Sequence, residues 1–162
     1  MKSFKEKIKL KEIIVEAEKG NAESQAYLAY AYFEGKFAEK NDRKACHWAQ
    51  LYYQNDSNSI QYDDYIHYIL GKFKFEGRFI DYDLDGARQL LEKSYSNGLV
   101  KAGLYLCEFV YPKYPSSLNY GGKRLKMLND ITKNSNINAS NYAKYLLGKC
   151  GETTFWQIVI FA

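Results

Sequence analysis

The chain has 162 residues, of which 46% are hydrophobic, 26% charged and 17% aromatic; it includes 16 tyrosines and only 2 prolines. So few prolines disfavour a loop-rich or disordered chain and suit helices. A formal net charge of +4, from 23 basic and 19 acidic side chains, lacks the concentrated positive charge by which proteins bind nucleic acid through counterion release.

In chain order, Met1–Leu10 alternates charged with apolar residues and no long apolar run follows, so no signal peptide is expected. The longest apolar run, Ile158–Ala162, is far too short for a bilayer, and the expected location is the cytoplasm without membrane association. Leu10, Ile13, Ile14 and Ala17 fall at i, i+3, i+4 and i+7 before Gly20, which predicts an N-terminal capping helix within 1–20. A helix over about 22–34 follows, rich in Ala, Leu and Gln and closed by Gly35. Asn41 or Asp42 then caps a helix over about 42–54. The next pair ends its first helix at Gly77 and starts its second at Asp83 or Asp85, with Ala87, Leu90, Leu91 and Tyr95 at helical spacing and Asn97-Gly98 as the stop. Further on, Tyr111-Pro112-Lys113-Tyr114-Pro115 occupies the place of a glycine turn. Tyr120-Gly121-Gly122 reads as a break before a helix with Leu125, Leu128 and Ile131. Thr153 or Thr154 is expected to cap a final apolar helix, which either seals the chain end or forms a homodimer contact.

These elements repeat. Leu28-Ala29-Tyr30-Ala31-Tyr32-Phe33-Glu34-Gly35 matches Leu70-Gly71-Lys72-Phe73-Lys74-Phe75-Glu76-Gly77 at an offset of 42 residues, which also carries Ala45 onto Ala87. Fainter copies follow at Leu106-Cys107 and Leu147-Gly148. Small residues (Ala29, Gly71, Cys107, Gly148) follow each key leucine, as a close helix–helix approach requires. Gln25–Gly35 with Asp42, Ala45 and Trp48, returning in Ile69–Gly77 with Ala87, Leu90 and Gly98, resembles the Sel-one-like repeat, a relative of the tetratricopeptide repeat. The resemblance covers about residues 10–150 and is strongest in the first two units. Departures are Lys74 in place of the expected tyrosine, the Pro112–Pro115 stretch and a truncated fourth unit. It implies an all-α fold: a right-handed α/α solenoid of antiparallel helix pairs, about three to four repeats with terminal capping helices. A single domain, 1–162, would divide into a cap at 1–20 and repeats at 21–57, 58–98, 99–136 (degenerate) and 137–162 (truncated, with an apolar cap).

Catalytic and metal signatures are sparse. His47 and His67 lie in different units without a His-x-x-x-His or Cys/His cluster, and both read as helix-surface or groove histidines. Cys46, Cys107 and Cys150 are widely spaced and read as buried reduced thiols. Asp81–Gly86 lacks the ligand spacing of a calcium loop and reads as a helix cap, and Tyr120–Arg124 lacks the ending of a phosphate loop. No catalytic residue, metal or cofactor is expected.

The resemblance implies that the first helix of each pair lines a concave groove. Positions −5, −2, +2 and +5 from each key leucine carry this over to Glu23, Ala26, Tyr30 and Phe33; to Tyr65, Tyr68, Lys72 and Phe75; to Lys101, Leu104, Glu108 and Tyr111; and to Tyr142, Tyr145 and Lys149. Aromatic rings give large contact area at low entropic cost, and Lys72, Lys101 and Lys149 would favour an acidic peptide segment. The expected function is a non-catalytic scaffold that binds a protein partner in this groove, with a bacterial immunity protein holding a cognate secreted toxin as one such role. The alternatives are single-stranded nucleic-acid binding through interleaved Tyr and Lys, and an enzyme on a helical scaffold.

Overall fold

The computed structural model describes residues 4–55, 62–115 and 118–160, with side chains at 9–55, 62–115 and 118–150. Among these residues helix follows helix with no strand between: α1 (Phe4–Glu18), α2 (Ala22–Glu34), α3 (Asp42–Gln54), α4 (Asp63–Glu76), α5 (Leu84–Ser96), α6 (Val100–Tyr105), α7 (Tyr120–Ile131) and α8 (Ile137–Ile160). The chain divides into two compact units, Met1–Asn97 and Gly98–Ala162.

In the first unit, local capping chemistry sets the helix ends. The Asn21 side chain accepts a hydrogen bond from the Ser24 N–H at 2.8 Å and starts α2, and Gly35, at φ 71°, ends it. Asn41, rather than Asp42, starts α3 by accepting from the Lys44 N–H at 2.9 Å. Gly77, at φ 62°, ends α4, and Asp83 starts α5 by accepting from the Gly86 N–H at 2.8 Å. α3 and α5 are both 13 residues long and begin 42 positions apart, so the sequence offset is also a structural one. One shared feature is unexpected: Phe37 and Phe79, at equivalent places in the two turns, both have left-handed backbone, at φ 61° and 66°. That conformation costs a bulky residue about 1–2 kcal/mol.

Packing follows the apolar faces. α1 leans Leu10, Ile13 and Ile14 on the core beside buried Ala17. α2 packs on α3 and α4 on α5, while α4 also touches α2 and α3. Leu28, Ile66, Ile69, Phe73 and Leu91 are fully enclosed; each contributes about 1.5–3 kcal/mol of burial. Gly71 shows why a small residue follows a key leucine. A Cβ there would stand 2.8 Å from Leu91 Cγ and 3.1 Å from the Ala87 carbonyl oxygen, because α5 crosses α4 at that point. Ser94, also fully buried, donates from Oγ to the Asp64 carbonyl at 2.7 Å and ties the end of α5 to the start of α4.

The second unit departs from regular repetition. After α6 the backbone widens into a π-helical turn, Leu106–Val110, then tightens into a 3₁₀ turn, Tyr111–Lys113. Pro112 has no N–H for the Glu108 carbonyl, so the regular ladder stops there. Gly121 and Gly122 are not a break before the next helix but lie in the first turn of α7, which follows Asn119 in left-handed conformation. Among the described side chains of α8 the buried positions are Ser140, Ala143, Leu146 and Cys150. The inward leucine is therefore Leu146, one place before the expected Leu147. A Cβ at Gly148 would accordingly have nothing within 4 Å among the described residues, and the close approach expected there is not found among them. α8 also runs unbroken to Ile160, so Thr153 and Thr154 lie within it and start no separate helix. The side-chain packing of segment 153–162 lies outside the described residues. No helix among the described residues is long and apolar enough to cross a membrane.

Candidate functional site

In the first unit, the groove positions of α2 and α4 meet ring on ring. Tyr30 contacts Tyr65 edge-on at 4.9 Å between centroids, and Phe33 contacts Tyr68 edge-on at 5.7 Å. The residue spacing on each helix, three between Tyr30 and Phe33 and three between Tyr65 and Tyr68, places both pairs on facing stripes. Tyr30, Phe33, Tyr65, Lys72 and Phe75 are partly exposed, whereas Tyr68 is only 8% exposed and Ala26 is fully buried. The rings thus pack adjacent first helices together and still offer area to a partner.

Three aromatic residues outside the carried-over positions extend this face. Tyr62 lies 5.9 Å from Tyr30 and 6.5 Å from Tyr27, and Phe37 lies 6.0 Å from Tyr27. Tyr62 stands just before α4 and Phe37 in a turn, so helical spacing carried no sign of either. Charges of both signs stand beside the rings. Lys72 pairs with Glu76 on the next turn of α4, and Lys36 lies over the Tyr30 ring at 5.8 Å. Burial first, then the negative charges of Glu34 and Glu76, pushes the Tyr68 hydroxyl up to about 12, and burial followed by Glu34 raises Tyr65. Glu34, Asp64 and Glu76 thus act on these rings beside Lys36 and Lys72.

The second unit gathers four of its expected residues. Tyr142 and Glu108 are hydrogen bonded; that bond, with burial and the carboxylate charge behind it, holds the phenol up at about 12. Tyr142 stacks on Tyr145 at 5.9 Å, and Lys149 Nζ lies 4.7 Å from the Tyr145 centroid. Tyr145 is 53% exposed. Lys101 and Leu104 are partly buried. Tyr111 is buried and stacks on Tyr120 at 5.5 Å instead of lining an open face. The reason is the π turn: it takes more residues per turn than an α-helix, so the position five after Leu106 comes back toward the Leu106 side.

The histidines separate. His47 is exposed beside Trp48, with centroids 5.2 Å apart. His67 is buried at 3% exposure, with its Nδ1 2.6 Å from the Asp63 carbonyl oxygen. All three cysteines are buried thiols, and burial pushes Cys46 up to about 11 and Cys107 to about 12. Among the described residues no group of three or more His, Cys, Asp or Glu is placed to hold a metal ion.

No family model matches the chain, and no curated protein matches it. Among solved structures it is similar to a Sel1 repeat protein from Oxalobacter formigenes, at 19% identity and a TM-score of 0.47, over 89% of this chain and 63% of that one. The chain thus spans less than two thirds of that protein's length.

Proposed function

We propose that the protein is a non-catalytic scaffold that binds a partner protein on the aromatic face of α2 and α4. The observation that carries this reading is the half-exposed ring run of Tyr30, Phe33, Tyr65 and their neighbours Tyr27, Tyr62 and Phe37. Rigid rings with polar tips are the residues that most often dominate protein interfaces. In this reading the α2–α3 and α4–α5 pairs are two repeats of a right-handed α/α solenoid of antiparallel helices, supported by their common offset, the glycine ends of α2 and α4 and the side-chain caps of α3 and α5. In the second unit, Glu108, Tyr142, Tyr145 and Lys149 form a cluster of their own.

Because Lys36 and Lys72 stand among Glu34, Asp64 and Glu76, the partner is recognised by ring area more than by charge. The role of an immunity protein holding a cognate toxin, which the sequence resemblance implies, is one form of this function. Affinity purification from the native host, repeated with the Tyr30→Ala, Tyr65→Ala double variant, tests it. The variant should keep the helical spectrum of the wild type and lose its partner, with binding that changes little as salt rises. A partner retained by the variant overturns the proposal, and binding that collapses with salt points to phosphate contacts instead.

A further inference from the structure

α4 has a second working side. Tyr65, Tyr68, Lys72 and Phe75 carry the ring face, whereas Asp63, His67, Leu70 and Lys74 recur at helical spacing along another stripe and floor a cleft of about 620 Å³. α3 forms one wall with Gln50 and Gln54, and α5 forms the other with Gln89, Leu90 and Lys93.

Charge in this cleft is confined to its ends and neutralised there. Lys93 Nζ lies 3.9 Å from Asp63 Oδ2 at one end, and Lys74 Nζ lies 2.9 Å from Asp83 Oδ2 at the other. Between them the walls offer primary amides, above the apolar Leu70 and Leu90. The floor adds one enclosed polar group. His67 Nδ1 faces the Asp63 carbonyl oxygen at 2.6 Å, and a carbonyl only accepts, so Nδ1 carries the proton.

We propose that this cleft binds a short, uncharged, extended peptide segment. A glutamine amide both donates and accepts, and so matches the N–H and C=O that an extended backbone presents together. Ends already neutralised by the protein give a charged ligand no advantage. The rise of α4 from Asp63 to Lys74 is about 16 Å, which an extended chain covers in about five residues. The site is separate from the ring face and does not depend on the function proposed for it.

Selection of short random peptides displayed on phage against the full chain supplies the probe. The best selected peptide, fluorescein-labelled, is titrated by anisotropy into wild type, a Gln54→Ala, Gln89→Ala variant and a Tyr30→Ala, Tyr65→Ala variant. Gln54 and Gln89 are exposed, so their loss should leave the melting curve unchanged. Losing two hydrogen bonds should weaken binding about tenfold, while the tyrosine variant binds as wild type does. The proposal is overturned if no peptide is enriched, if the glutamine variant binds as tightly as wild type, if the tyrosine variant abolishes binding, or if the selected peptide is charged and released by salt.

Discussion

Gly71 and Gly148 hold the same sequence position, one place after a key leucine, yet their surroundings are opposite. At Gly71 a methyl group would meet Leu91 Cγ at 2.8 Å and the Ala87 carbonyl at 3.1 Å, and backbone cannot yield as a flexible side-chain end can. Gly71→Ala should therefore cost about 1–3 kcal/mol. Gly148 sits in helical backbone with open space around it, so Gly148→Ala should stabilise by up to about 1 kcal/mol. Thermal melts of the two variants, moving in opposite directions, check both. Asp83 combines two jobs: it caps α5 and pairs with Lys74. The hydrogen bond from Lys74, then that from the Gly86 N–H, holds its carboxyl below the ordinary 3.8. A folded-state value below the unfolded one gives stability that is present above the unfolded value and lost as pH falls through the folded one. Asp83→Asn keeps a capping oxygen and removes the ion pair, which is partly exposed and worth only a few tenths of a kcal/mol. The variant should be slightly less stable than wild type at neutral pH, and the gap in urea midpoints should close below about pH 3.8.

At the scale of elements, what was legible in the sequence was what short-range chemistry decides. The expected bounds 22–34 and 42–54 are those of α2 and α3, because Asn21, Gly35 and Asn41 act on groups at most four residues away. Asp83 and Gly77 frame α4 and α5 in the same way. The π turn at Leu106–Val110 was not legible, because a helix of Leu, Cys and Val gives no local sign of widening; it moved Tyr111 off the expected face. The one-place shift to Leu146 likewise depends on which face of α8 the neighbouring helices cover. Of the candidate site, Tyr30, Phe33, Tyr65 and Tyr68 were named by the resemblance, through helical positions counted from a key leucine, whereas their meeting as the pairs Tyr30–Tyr65 and Phe33–Tyr68 is seen only in the structure. Phe37 and Tyr62 lie outside the helices, beyond the reach of such spacing. Coupling between elements is also testable. Ser94 Oγ is the link from α5 to the first turn of α4, and Ser94→Ala removes one buried hydrogen bond. A loss of about 1 kcal/mol is expected, read as a fall of about 3 °C in melting temperature for a chain of this size.

For the whole molecule, the decisive feature is that one unit contains both proposed surfaces. The core that joins Ala17 of α1 to Phe73 of α4 lies entirely within Met1–Asn97, as do the ring face and the glutamine-walled cleft. Among the described residues that unit has five helices, three of them started by side-chain caps, and its helix contacts run mainly between neighbours in sequence. Local contacts of this kind allow a helix-pair array to fold from part of its length, since its stability is close to a sum over units and their interfaces. A chain of residues 1–97 should therefore fold alone, with a helical spectrum and a single cooperative urea transition. Its m-value should be smaller than that of the full chain, in line with the smaller surface exposed on unfolding. It should also keep the peptide binding proposed for the α3–α4–α5 cleft. A fragment with helical signal but no cooperative transition would show that these five helices need residues 98–162 to complete their packing.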